Sequence, residues 1–137
     1  MESEKQSESN KNAVLESKAI KMFFDGAGCR PNGKGSGFAW ICPDSNEKLV
    51  QRVPGLTNNQ AEYKGFLAAL EHVPADRAVE IFSDSQLICS QFSGQYLVRD
   101  EALQELLSEV RAVIASKSLK VTLNWVPRSR NLAGKLL

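Results

Sequence analysis

Three carboxylates stand where their side chains could act together. Asp25 and Asp84 each close a short apolar run, MFFD and EIFSD. Glu62 lies in TNNQAEYKGFLAALEHV, four residues before Phe66, so on a helix it sits near the apolar face. In α/β sheets the carboxyl ends of strands are where sites gather. Neighbouring strands that both end in aspartate would bring the two groups together, and a helix packed across them could add Glu62. Clustered carboxylates repel one another unless a cation sits among them. Oxygen-only ligands select hard ions such as Mg²⁺ or Mn²⁺. Two such ions can activate water and stabilise the leaving oxygen in phosphodiester cleavage. The same residues have simpler readings. Asp25-Gly26 suits a turn, and Ser83-Asp84-Ser85 suits a helix N-terminus with Ser83 or Asp84 as the cap.

The elements that must position these groups follow from periodicity. Ile20, Met22 and Phe24 alternate with Lys21, Phe23 and Asp25, a strand ending at the aspartate. GAGCRPNGKGSG is a turn, and FAWICP and KLVQRV are two further strands joined at PDSN. Three successive strands suggest an antiparallel meander. Thr57 or Asn58 can cap the next helix, on which Phe66, Leu67, Leu70 and Val73 repeat at helical spacing. AVEIFSD is a strand, and SQLICSQFSG a short helix stopped near Gly94. RDEALQELLSEVRAVIAS is an amphipathic helix with Leu103, Leu106, Leu107, Val110, Val113 and Ile114 on one face. SLKVTLNWVP is the last strand, and RSRNLAGKLL starts a short final helix. Trp40 and Trp125 read as core residues on strands. The order β-β-β-α-β-α-α-β-α predicts an α/β fold with a mixed five-stranded sheet flanked by helices.

Composition bounds the partners. A chain of 137 residues is one domain's worth. Its formal net charge of +1 does not by itself imply nucleic acid, so any such contact needs a local basic patch or metal ions. Residues 1–18, rich in Ser, Glu, Lys and Asn, read as a disordered tail, leaving 19–137 as the folded domain. Cys29, Cys42 and Cys89 form no C-x-x-C pair, and the chain has one histidine, which argues against a disulfide framework and a zinc site. A reducing, cytoplasmic setting fits. No apolar run reaches membrane-spanning length, and the N-terminal stretch lacks the apolar core of a signal peptide. A monomer is expected.

The blocks FFDGAGCRPNGKGSGFAWI, TNNQAEYKGFLAAL, IFSDSQLICSQFSG and LNWVPRSRN, in this order and spacing, resemble the successive blocks of the type 1 ribonuclease H family. The likeness runs from about residue 20 to the end and implies the ribonuclease H-like fold. It places the family's first three metal-binding carboxylates on Asp25, Glu62 and Asp84. It implies two-metal hydrolysis, with Mg²⁺ or Mn²⁺, of the RNA strand of an RNA–DNA hybrid, leaving a 5′-phosphate. Asn58, Asn59 and Gln60 match family positions that reach bases and 2′-hydroxyls across the minor groove; amides suit a 2′-OH, which both donates and accepts. Helix capping is their other use. Gly26 to Asn32, Cys29 included, resembles a loop that lets the backbone approach the RNA strand.

The sequence departs from the family in three places. The basic, Trp-rich helix and loop that many members carry is replaced by GQYLVRDEALQEL, leaving substrate grip to bases such as Arg128 and Arg130, unless these lie on a solvated loop. The loop after the last strand, VPRSRN, has no histidine; His72 ends the first helix, where it can sit against the last carbonyls. The family's fourth acid, in N-x-x-A-D, is missing from RNLAGKLL, and no Asp or Glu follows Glu109. Asn131 is then expected to fill the fourth place as an oxygen ligand; alternatively it caps the helix and Lys135 stands where the acid belonged. The survival of three mutually repelling acids favours an enzyme. A non-catalytic nucleic-acid-binding module of the same fold is the alternative.

Overall fold

A computed structural model describes residues 18–29 and 35–137. The expected tail, apart from Lys18, and Asn32 lie outside the described residues. Alternation builds the first strand, β1 (Ile20–Ala27), with Met22 and Phe24 fully buried and Lys21 exposed. β2 (Gly37–Cys42) and β3 (Glu47–Arg52) complete an antiparallel meander with it. β4 (Ala78–Ser83) and β5 (Lys120–Trp125) join in parallel, giving the order β3-β2-β1-β4-β5. The mixed five-stranded sheet is as the sequence predicts.

The helices are α1 (Asn58–His72), α2 (Gln86–Ser93) and α3 (Glu101–Ser116). α1 begins in a capping box: the Thr57 hydroxyl accepts from the Gln60 N–H (3.1 Å) and Gln60 Oε1 accepts from the Thr57 N–H (3.0 Å). Gly94 stops α2 in the left-handed conformation, φ 85°. Met22, Phe24, Phe66, Leu70, Ile81, Ile88 and Val110 form the centre of the core, with Phe24 stacked on Phe66 at 4.9 Å between centroids. The helical face of α3 predicted from its leucines is buried through Leu103, Leu106, Leu107 and Val110.

Four local expectations are corrected. β1 does not end at Asp25. Its parallel pairing with β4 stops at Phe23–Phe82, but its antiparallel pairing with β2 continues through Gly26–Phe38 and Ala27–Gly37. The last segment is not a helix but two 3₁₀ turns, Arg128–Arg130 and Gly134–Leu136. They are separated at Asn131, whose backbone is extended and whose side chain accepts from the Ala133 N–H (3.1 Å), a local bond that competes with helix formation. Trp40 is in the core, but Trp125 is 48% exposed, because β5 is an edge strand. His72 does not hold helix carbonyls. It pairs with Glu47 (2.9 Å) beside the Trp40 ring, while the Lys117 ammonium donates to the carbonyls of Leu70 (3.3 Å), Glu71 and Val73 (2.8 Å).

Candidate active site

The strand register delivers the first two carboxylates. β1 and β4 run parallel with Phe23 opposite Phe82, and two residues further along both chains come Asp25 and Asp84. Glu62 joins from the start of α1, which lies directly over β1. A Cβ on Gly26 would stand 2.3 Å from the Ala61 carbonyl carbon and the Glu62 nitrogen, so only glycine lets the helix lie this close. One carboxylate oxygen from each of Asp25, Glu62 and Asp84 falls within 4.8 Å of the others.

Asp84 is available because another residue caps α2. The cap is Ser85, whose hydroxyl accepts from the Ile88 N–H (3.1 Å), in place of the expected Ser83 or Asp84. Ser83 Oγ instead accepts from the Ser85 N–H (3.0 Å). Trp125 Nε1–H donates to the Asp84 carbonyl (3.1 Å), which fixes the backbone that carries the carboxylate. Asp25 Oδ1 accepts from the Gly26 N–H (2.9 Å).

The cluster is electrostatically costly without a cation. Burial, then the charge of Asp84, pushes the Asp25 carboxyl up to about 6. Burial, then the charges of Asp25 and Asp84, pushes Glu62 up to about 8. Glu62 Oε2 is buried with no hydrogen-bond partner among the described residues. A buried carboxylate oxygen that lacks a donor and faces two further carboxylates fits a hard divalent cation, for which oxygen donors are the preferred ligands. Cys89, half-buried nearby, is pushed up to about 11 by burial and by Glu62 and Asp84, so it is a neutral thiol and adds no charged ligand.

Asn131 is drawn to this place, but it does not present an oxygen to it. It is buried, and its Nδ2 donates to the Phe24 carbonyl (2.9 Å) and towards Asp84 Oδ2 (3.4 Å). Its Oδ1 accepts from the Ala133 N–H (3.1 Å). Turning the amide over would set oxygen against the Phe24 carbonyl and nitrogen against an N–H, so the network fixes the orientation. The expected oxygen ligand is thus corrected to a donor that ties the C-terminal segment to β1 and Asp84.

Of the residues assigned to substrate, Gly26, Cys29, Asn58 and Arg128 line one cleft of about 720 Å³ with Asp25, Glu62 and Lys135, whereas Asn59 and Gln60 do not line it. Asn58 Oδ1 accepts from the Gly28 N–H (2.5 Å), joining the glycine loop to the head of α1. Cys29 is exposed, with its N–H on the Leu56 carbonyl (3.1 Å). Gln60 is occupied by the capping box, and Asn59 follows Asn58 in the first turn. Sequence reasoning missed Gly134. A Cβ there would lie 2.9 Å from Asp25 Oδ2, so the backbone after Asn131 closes directly on the carboxylate. The signal was available: a glycine three residues past Asn131, in the block where the family pattern has its acid.

A family model described as reverse transcriptase-like matches residues 23–137. The bifunctional protein Rv2228c of Mycobacterium tuberculosis is 32% identical over 111 residues, which cover 76% of this chain and 30% of that protein. The chain therefore spans less than a third of the length of this relative. Ribonuclease HI of Halobacterium salinarum is 29% identical over 119 residues, covering 82% of this chain and 58% of that protein. The crystal structure of RNase H1 from that archaeon matches with a TM-score of 0.73 at 28% identity, over 87% of this chain and 93% of its own. LC11-RNase H1, solved in complex with an RNA/DNA hybrid, matches with a TM-score of 0.75 at 25% identity, over 85% of this chain and 91% of its own.

Proposed function

The chain belongs to the reverse transcriptase-like family, of ribonuclease HI type, and on that premise we propose that it is a hydrolase that cleaves the RNA strand of an RNA–DNA hybrid by two-metal-ion phosphodiester hydrolysis. One observation carries the reading: three carboxylates, from β1, α1 and the residue just past β4, converge within 4.8 Å, one with a buried oxygen that has no donor among the described residues. Asp25, Glu62 and Asp84 would hold Mg²⁺ or Mn²⁺. Such ions, when bound, polarise the phosphodiester and favour ionisation of the attacking water.

The chain's own residues supply position and selection. Asn131 and Trp125 hold the Asp84 segment through its side chain and its carbonyl, so the carboxylate keeps its place just past the end of β4. Gly26 brings α1 close enough for Glu62 to meet the two aspartates. Asn58, Asn59 and Gln60 sit at the head of the same helix. With Asn58 Oδ1 held by the Gly28 N–H and Gln60 Oε1 by the Thr57 N–H, the NH₂ groups of Asn58 and Gln60 and the Asn59 amide are offered to 2′-hydroxyls and base edges, which favours RNA on that side of the minor groove. The Gly26–Cys29 stretch presents backbone to the RNA strand at the mouth of the cleft. Arg128 lines the same cleft and serves as a phosphate contact. Three free cysteines suit a reducing cytoplasm, and we take the working unit to be a monomer. Among the described residues no helix is long and apolar enough to cross a membrane.

The test is a cleavage assay on labelled RNA–DNA hybrid, duplex DNA and duplex RNA across a Mg²⁺ and Mn²⁺ titration. Cation-dependent cutting of RNA in the hybrid alone is expected. Binding of hybrid without cutting at any cation concentration would replace the reading with a non-catalytic module. Undiminished cutting in excess chelator would overturn the role of the three carboxylates.

A further inference from the structure

Two cationic side chains, Arg128 and Lys135, line the cleft that also contains Asp25 and Glu62. Both are exposed. Among the described residues neither enters an ion pair, although three carboxylates stand close by. Arg128 is near enough for its charge to pull the Asp25 carboxyl down against the effect of burial. Lys135 directly follows Gly134, whose backbone is packed against Asp25 Oδ2. The Gly134–Leu136 turn therefore starts the lysine stem at the edge of the carboxylate cluster, with no side chain on the residue between. No fourth carboxylate joins the trio among the described residues. At this edge the protein offers positive charge and bare backbone.

We propose that Lys135, with Arg128 beside it, binds the phosphate of the RNA strand at the carboxylate site, so that this edge holds substrate through the protein's own cations. The inference rests on the hybrid as substrate. It also gives the C-terminal turn a specific task. A Lys ammonium is a compact point charge on a flexible stem, suited to following a phosphate oxygen without base preference. The fixed position of its neighbour Gly134 limits where that stem begins.

Equilibrium binding of a labelled RNA–DNA hybrid to the full chain, read by fluorescence anisotropy in chelator across a salt series, tests this without reading turnover. Lys135→Ala should weaken binding by a similar factor on hybrids of different sequence. It should also reduce the slope of log affinity against log salt by about one, the loss of one phosphate contact. Lys135→Arg should restore both. Thermal unfolding should be unchanged in either variant, because the side chain is exposed. Tight binding by wild type with the same affinity and slope in Lys135→Ala would overturn the lysine's role and leave the hybrid as substrate. A loss of affinity with no change of slope would also overturn it. If wild type does not bind hybrid at all, the functional reading falls and takes this inference with it.

Discussion

Asn131 Nδ2 lies 3.4 Å from Asp84 Oδ2 and 2.9 Å from the Phe24 carbonyl, so one buried amide joins the C-terminal segment to β1 and to the aspartate that follows β4. Asn131→Ala would leave the Phe24 carbonyl and the Ala133 N–H without partners. The expected loss is about 1–3 kcal/mol of stability, the range for buried groups left unsatisfied. Asn131→Asp removes both donated bonds and adds a charge beside Asp84, so it should be more destabilising than Asn131→Ala in chelator. Urea unfolding of the three proteins measures both differences. A fully stable Asn131→Asp that gains a cation in isothermal titration would show that the position accepts a ligand after all.

The raised carboxyls set a pH dependence with a definite sign. Asp25 moves from an ordinary value of 3.8 to about 6, and Glu62 from 4.5 to about 8. The folded protein thus holds these protons more tightly than the unfolded chain. Their contribution to stability is present at low pH and is lost as pH rises through about 6 and then about 8. In chelator, the melting temperature should fall between pH 5 and pH 9 by a component that Asp25→Asn and Glu62→Gln each reduce. Mg²⁺ should recover more of the melting temperature at high pH, where no proton must be displaced. The same variants and Asp84→Asn should stay folded while losing cleavage by more than the roughly 10- to 100-fold typical of an outer-partner loss. Melts that rise with pH in chelator would show that the trio is not strained by its own charge.

How far the sequence carried the fold is clear from β1 and β4. Their aspartates allowed a shared carboxylate site beside the simpler turn and cap readings, and it was the family likeness that favoured the site. Alternation marked both strands, because burial with period two is a property of the strand alone. The amphipathic face of α3 was legible for the same reason. Pairing and capping were not. Whether β1 stops at Asp25 depends on β2 as well as β4, and which serine of Ser83-Asp84-Ser85 caps α2 depends on how the chain leaves β4. Trp125 reads as core by composition, yet it lies on an edge strand, and edge position is set by topology. The direction of the Asn131 amide is a network property, decided by Phe24 and Ala133 together. The likeness to known ribonuclease H sequences identified the carboxylates one by one. It could not show that the backbone at Gly134 occupies the space beside Asp25.

Lys117 caps α1 from outside that helix. Its ammonium donates to the carbonyls of Leu70, Glu71 and Val73 at the helix end, where the Leu70 carbonyl also accepts from the Val73 N–H (3.2 Å). Lys117→Met keeps the stem and removes the charge. It should cost about 1.5–3 kcal/mol, the range for hydrogen bonds from a charged donor. The loss should appear in unfolding experiments and leave hybrid cleavage at saturating substrate unchanged. An equally stable Lys117→Met would mean that water serves the three carbonyls as well as the ammonium does.

Gly134 should prove sensitive to the smallest possible addition. Its φ is not in the left-handed region, so alanine is not barred by backbone conformation. What bars it is contact: a Cβ would stand 2.9 Å from Asp25 Oδ2, closer than side-chain carbons normally approach. Either the turn must lift or the Asp25 carboxylate must rotate, and rotation also disturbs its bond from the Gly26 N–H. Gly134→Ala is therefore expected to weaken cation binding and slow cleavage by about 10- to 100-fold, as for a change in a ligand's support. Stability in chelator should fall by less than about 1 kcal/mol, because the contact is with the free end of a side chain. Isothermal titration with Mn²⁺ and unfolding in chelator separate the two effects. Unchanged Mn²⁺ affinity in a stable Gly134→Ala would show that the turn yields and that its close approach to Asp25 has no part in shaping the site.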